Sequence, residues 1–220
     1  MKYGLDVLNP PLRAWSINVR DLGWSWLNVY VGGPRCAALD RWRQQDGIRY
    51  PVRELADVFD GFLPTYVGRN YPWDGPETFT YDQGRFDGDD ANDCTGACGF
   101  DRPTPLCLDL EYGCWQNYGE AVVEYVRGWV QSVNEAGHKA GAYSDIDTLN
   151  QLPIGELVDF KWGAAWIRNS FTNRAPTGRF DPTFPPPWDA WQYGGGILLG
   201  ASVDCNSMVD TFELARYGPY

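Results

Sequence analysis

Histidine is almost missing from this chain, and positive charge is scarce. The one histidine, His138, stands in Ala136-Gly137-His138-Lys139. Nucleophilic triads, Cys–His pairs and histidine-based zinc sites all need an imidazole set beside a partner. Gly137 reads as a helix stop, so His138 is expected to be a solvated turn residue. Any acid–base chemistry must then fall to carboxylates. Lys and Arg number 18 against 29 Asp and Glu, a formal charge of −11 at pH 7. Such a surface repels phosphate backbones and anionic lipid, which argues against nucleic acid and membranes as partners. No run approaches the roughly 18 apolar residues of a spanning helix. No charged-then-apolar leader opens the chain either, because a strand pattern begins at Tyr3.

Metal-binding patterns are also incomplete. Cys94-x-x-x-Cys98 lacks the second pair and the histidines of a zinc site. The acidic run from Asp87 to Asp93 places Ala91 where calcium would need an oxygen, and no Glu closes a loop. Acids at a helix start need no metal, since the helix dipole favours them. No metal and no cofactor are expected. The six cysteines, Cys36, Cys94, Cys98, Cys107, Cys114 and Cys205, form an even set whose pairing stays open. Cys107 lies between Leu106 and Leu108 in a strand pattern and is expected to be a reduced core thiol. Any bridge should use the loop cysteines Cys94, Cys98 or Cys114.

What the chain has is rings and alternation. It carries 11 Trp and 13 Tyr, and 44% of its residues are hydrophobic. Most of the rings are expected in a core; the rest suit sugar-stacking surfaces. Short β-rich runs cover 3–7, 27–31, 61–67, 105–111, 139–143, 160–167, 189–193 and 200–204, with helical stretches between. Pro64 weakens regular pairing in the third run. Val122, Val123, Val126, Trp129, Val130 and Val133 share one face of a helix over about 118–136. Repeated strand–crossover–strand units predict a mainly parallel sheet. Eight strands in one domain, 1–220, favour an α/β TIM-type barrel, which need not be regular or carry all eight helices. Two insertions are expected at the active face: 71–102, read as a long loop entering a short helix near 89–98, and the Pro-rich stretch 174–187.

Residues i and i+2 of a strand share a face. Asp109 and Glu111 therefore point one way and Leu108 and Leu110 the other, with both acids inward at the strand's carboxyl end. Asp6 ends the first strand and Asp204 the last, and barrel closure makes those strands neighbours. Asp189 reads as a strand-entry residue, and Asp145 as a helix N-cap before Ile146. Tyr30, Tyr66, Tyr143, Trp166, Trp191, Gln192 and Tyr193 lie at or near strand ends, with Asn206 just past the last.

The ordered set Gly4-Leu5-Asp6-Val7, Leu108-Asp109-Leu110-Glu111, Trp191-Gln192-Tyr193 and Val203-Asp204-Cys205-Asn206 resembles the glycoside hydrolase family 25 lysozymes. Val29-Tyr30-Val31-Gly32-Gly33, Leu63-Pro64-Thr65-Tyr66-Val67-Gly68 and Ala140-Gly141-Ala142-Tyr143-Ser144 are similar to the glycoside-hydrolase-like domains of actinobacteria and their phages. The likeness covers nearly the whole chain. It implies a muramidase-like hydrolase, with Glu111 as general acid, Asp109 and Asp204 stabilising the sugar cation, and Asp6 shaping the site. The implied partner is cell-wall peptidoglycan, met by a monomer. An endolysin-like bacteriophage origin, virion delivery or a longer secreted precursor would bring the protein to the wall. A non-catalytic glycan-binding or virion-structural barrel stays open as the alternative.

Overall fold

The computed structural model describes residues 1–36, 42, 44–45, 48–49, 51–110, 113–151, 153–164, 174–175 and 189–217. The order is β1 (Lys2–Asp6), α1 (Arg13–Asp21), β2 (Trp26–Gly32), a two-stranded ribbon of β3 (Gln44–Gln45) and β4 (Ile48–Arg49), α2 (Pro51–Leu55) and β5 (Gly61–Val67). Then come α3 (Tyr81–Ala97), β6 (Pro105–Asp109), α4 (Cys114–Tyr118), α5 (Glu120–Glu135) and β7 (Lys139–Asp145). The remainder is α6 (Ile146–Gln151), α7 (Ile154–Leu157), β8 (Phe160–Ala164), β9 (Ala190–Leu198) and β10 (Ala201–Met208). Eight strands close into a barrel in the order β1-β10-β9-β8-β7-β6-β5-β2. Among the described residues no helix is long and apolar enough to cross a membrane.

The barrel departs from all-parallel closure at one strand. Only Leu199 and Gly200 separate β9 from β10, and a two-residue turn can join only antiparallel neighbours. Both residues have positive φ, 48° and 84°, the backbone that such a turn demands. β10 therefore runs antiparallel to β9 and to β1, while β1, β2 and β5 to β9 are parallel. Asp6 and Asp204 become direct register partners, as closure of the first strand on the last requires.

Alternation sorts the strand residues into two layers. Trp26 on β2 meets Trp162 on β8 edge-to-face, with ring centroids 6.3 Å apart. Those strands are not neighbours, so the contact crosses the barrel interior, which also holds Leu63, Cys107, Tyr143, Phe160 and Met208. Two inward positions have no room for a side chain. A Cβ on Gly4 would lie 2.1 Å from the Trp26 ring, and one on Gly141 the same distance from Phe160. The outward residues Leu5, Leu27, Val29, Leu106, Leu108, Ala140 and Ala142 pack with Val122, Val126, Trp129 and Val133 of α5. The unbridged Cys107 thiol is buried in the interior, and burial pushes its pKa well above the usual value.

In the segment 71–102 the helix expected near 89–98 is present but begins earlier. It is the 17-residue helix α3, whose N-cap Thr80 accepts a bond from the Gln83 amide. Gly84 and Gly88 lower helix propensity, as do the four Asp residues between 87 and 93. Packing overrides that weakness. A Cβ on Gly84 would lie 2.0 Å from the Tyr125 carbonyl oxygen, and one on Gly128 would lie 2.0 Å from that of Tyr81. The glycines let α3 and α5 cross with their backbones almost in contact. Gly84→Ala should lower stability by about 1–3 kcal/mol, since backbone rather than a flexible side chain must move. Chemical denaturation checks this, and an unchanged midpoint would mean the crossing is not that tight. Cys94 and Cys98, expected in a loop, are buried on and just after α3. The Pro-rich stretch 174–187 lies outside the described residues apart from Arg174 and Ala175.

Candidate active site

The parallel strands all end at one mouth, and β10 passes it near its start. Asp6, last in β1, is buried and held from β2. Asn28 Nδ2 donates to its Oδ1 at 3.2 Å and the Tyr30 hydroxyl donates to its Oδ2 at 2.8 Å. The Thr65 hydroxyl on β5 donates to Asn28 Oδ1 at 2.6 Å, which fixes the amide's orientation. On the other side the Tyr143 hydroxyl donates to Gln192 Oε1 at 2.7 Å, and Gln192 Nε2 reaches Asp204 Oδ2 at 3.3 Å. Below them Trp162 Nε1 donates to Asn206 Oδ1 at 3.1 Å.

Asp109 ends β6 and is buried between its register partners Val67 and Tyr143. Tyr30 draws the cluster together. Burial pushes its phenol pKa up, and the charges of Asp6 and then Asp109 push it further. Asp6, Tyr30, Asp109, Tyr143, Gln192, Asp204 and Asn206 thus share the inward layer. Asn28, Thr65 and Trp162 belong to the same network and were missed by the sequence reading. Asn28 carried a usable signal, since it is polar in an apolar strand and shares parity with Tyr30. Glu111 and Trp166 lie outside the described residues.

Three aromatics expected at the mouth are elsewhere. Trp191 and Tyr193 flank the inward Gln192, so the pleat turns both rings outward into the layer beneath the helices. There they pack together, centroids 5.6 Å apart and almost without solvent exposure. Tyr66 follows the inward Thr65 and points the same outward way, its hydroxyl donating to Asp90 of α3 at 2.8 Å. Proximity to a strand end was a poor guide to these rings; parity decided their side. His138 also departs from expectation, being buried at 6% exposure. Burial first, and the Arg102 charge second, push its pKa below the usual value. Asp145 caps α6 as expected, accepting from the Thr148 amide at 2.8 Å, and Asp189 enters β9 accepting from the Lys161 amide at 2.9 Å.

Asp6 is a carboxyl whose environment favours the proton. Burial raises its pKa from 3.8 to about 6, against the lowering effect of the bonds from Tyr30 and Asn28. The folded protein therefore binds this proton more tightly than the unfolded chain. Its stabilising contribution is full below about pH 3.8 and is lost as pH rises through about 6. The shift corresponds to about 3 kcal/mol. Denaturation midpoints of the native protein and Asp6→Asn should diverge across that window, the native protein losing stability relative to the variant as pH rises. Parallel pH profiles would mean that Asp6 titrates as a solvated acid.

The fold and site together are a closed α/β barrel with buried carboxyls at its mouth. The chain belongs to the Rv2525c-like, glycoside hydrolase-like domain family, whose model matches residues 7–193. Among solved structures it is similar to an uncharacterized B. stearothermophilus protein, at 19% identity over 96% of this chain and 97% of that one, TM-score 0.66. It is equally similar in fold to the Mycobacterium tuberculosis Tat-secreted protein Rv2525c in complex with HEPES, at 16% identity over 99% of both chains, TM-score 0.66. The muramidase from Acremonium alcalophilum matches at 14% identity over 95% and 94%, TM-score 0.58. A search of curated proteins found no match.

Proposed function

We propose that this protein is a muramidase-like glycoside hydrolase of bacterial cell-wall peptidoglycan, working as a monomer by carboxylate chemistry. The observation that carries the reading is the gathering of Asp6, Asp109 and Asp204 in one inward layer at the barrel mouth. Glycoside cleavage needs one carboxyl kept protonated and another kept ionised, and a crowded, partly buried set separates their proton affinities. Glu111 is the proposed general acid. Asp109 and Asp204 are proposed to stabilise the sugar cation, with Asp6 shaping the site through Tyr30 and Asn28. Gln192 and Tyr143 orient Asp204 and offer polar atoms to the substrate. The similarity in fold to a muramidase supports this substrate class. Delivery to the wall is proposed to come from a lysis system, a virion or a longer secreted chain. Release of new reducing ends from purified peptidoglycan by the native protein tests the reading. Binding without release would favour a glycan-holding barrel instead.

A further inference from the structure

Asp204 sits at the foot of a hairpin that outruns β1. β1 ends at Asp6, opposite Asp204, so residues 201–203 and their partners 196–198 on β9 extend past the end of that strand. At about 3.3 Å per residue that overhang rises roughly 10 Å. A bulge sets which side chains face the mouth. Asn206 pairs with Gln192 but Cys205 pairs with Gly194, so β9 carries one extra residue at Tyr193 and its alternation shifts by one. Without the bulge Ile197 would share the outward parity of Trp191. With it, Ile197 pairs with Ser202, and both lie on the face of Asp204 and its partner Gly195.

The two faces of the overhang differ. Leu198 and Val203 are buried in the helix-side layer, and the Trp15 indole of α1 donates to the Leu198 carbonyl at 3.2 Å. That anchors the hairpin from behind. The mouth-side face leaves Ile197 62% exposed, and the turn residue Leu199 is 53% exposed. Leu199 keeps φ 48°, a region a bulky side chain seldom adopts and in which Asn or Gly would sit more easily. Between Ile197 and the acids, Gly194-Gly195-Gly196 supplies no side chain.

The geometry points to the mouth-side face of the β9–β10 hairpin as an extended glycan subsite, in which Ile197 packs against the apolar face of the sugar beyond the one at Asp204. Ser202 offers that sugar its hydroxyl. The occupant is the N-acetylated sugar chain itself, because the surface is continuous with the acid cluster through Asp204. An anionic bilayer would meet a chain of net charge −11. The inference rests on the glycan-hydrolase reading and adds a residue that determines preference for chain length.

The test is calorimetric titration of the full chain with a disaccharide and a tetrasaccharide of alternating N-acetylglucosamine and N-acetylmuramic acid. Native protein should bind the tetrasaccharide more tightly. Ile197→Ser should weaken tetrasaccharide binding about tenfold and leave the disaccharide unchanged, whereas Ile197→Val should keep both within about twofold. An exposed substitution of this kind leaves folding intact. Equal tetrasaccharide affinity in native protein and Ile197→Ser would overturn the subsite while the hydrolase reading stood. Failure of native protein to bind either sugar would overturn both. A concentration-dependent dimer that Ile197→Ser dissolves would assign the face to a second copy and overturn the subsite alone.

Discussion

Glu111→Gln is expected to cut reducing-end release by about 10²–10⁴-fold while glycan binding persists, the usual scale of loss for a general acid. The substitution keeps the side chain's shape and removes only its proton. A free Glu has a pKa of about 4.3 and is ionised at neutral pH, so the role requires help. Asp109, two residues earlier in the chain, is proposed to supply it by like-charge repulsion. Asp109→Asn removes that negative neighbour, so Glu111 should ionise at lower pH. The alkaline limb of the rate profile should then move down as the rate falls. pH–rate profiles for the native protein and both variants read the two effects separately. A fully active Glu111→Gln protein would remove Glu111 from the mechanism.

Asp87→Ala should lower stability by about 3–5 kcal/mol, the range for stripping one partner from a buried ion pair. The Asp87 side chain is 3% exposed. It accepts from Arg69 Nε at 2.8 Å and Nη2 at 3.2 Å, from Gln83 Nε2 at 2.8 Å and from the Tyr125 hydroxyl at 2.8 Å. Its loss would leave the Arg69 guanidinium with Asp74 at 3.8 Å as its nearest acid. It would also take away the acceptor of the buried Tyr125 hydroxyl. The consequence reaches the site, because Gly68, next to Arg69, donates its amide to the Asp109 carbonyl at 3.0 Å. Asp87→Asn retains an acceptor and should cost less. Urea denaturation compares the two, and a loss under about 1 kcal/mol for the alanine variant would show that the network does not hold this corner.

Local pattern was enough to find the strands and the acids. The alternation in Leu108-Asp109-Leu110 was legible, and so was the approach of Asp6 to Asp204 once closure was assumed. The rings were misread because closeness to a strand end was allowed to outweigh parity. Trp191 and Tyr193 fell on the outward side by the same rule that put Gln192 inside. α3 is longer than the helix expected near 89–98 for a different reason. Its glycines and aspartates speak against a helix when taken locally, and they are explained only by Tyr125, Gly128 and Arg69, residues remote in the chain.

The sequence by itself determined the barrel class, the closure of the first strand on the last and the inward parity of Asp109. Strand parity and apolar periodicity are properties of neighbouring residues, and no distant contact is needed to express them. Tertiary structure alone decided the depth of α3, the burial of His138, the network behind Asp6 and the face on which Ile197 stands. Each of these depends on contacts between segments far apart in the chain. Two backbones touch at Gly84, a bulge at Tyr193 is defined only by its partner strand, and the proton affinity of Asp6 comes from the walls that bury it.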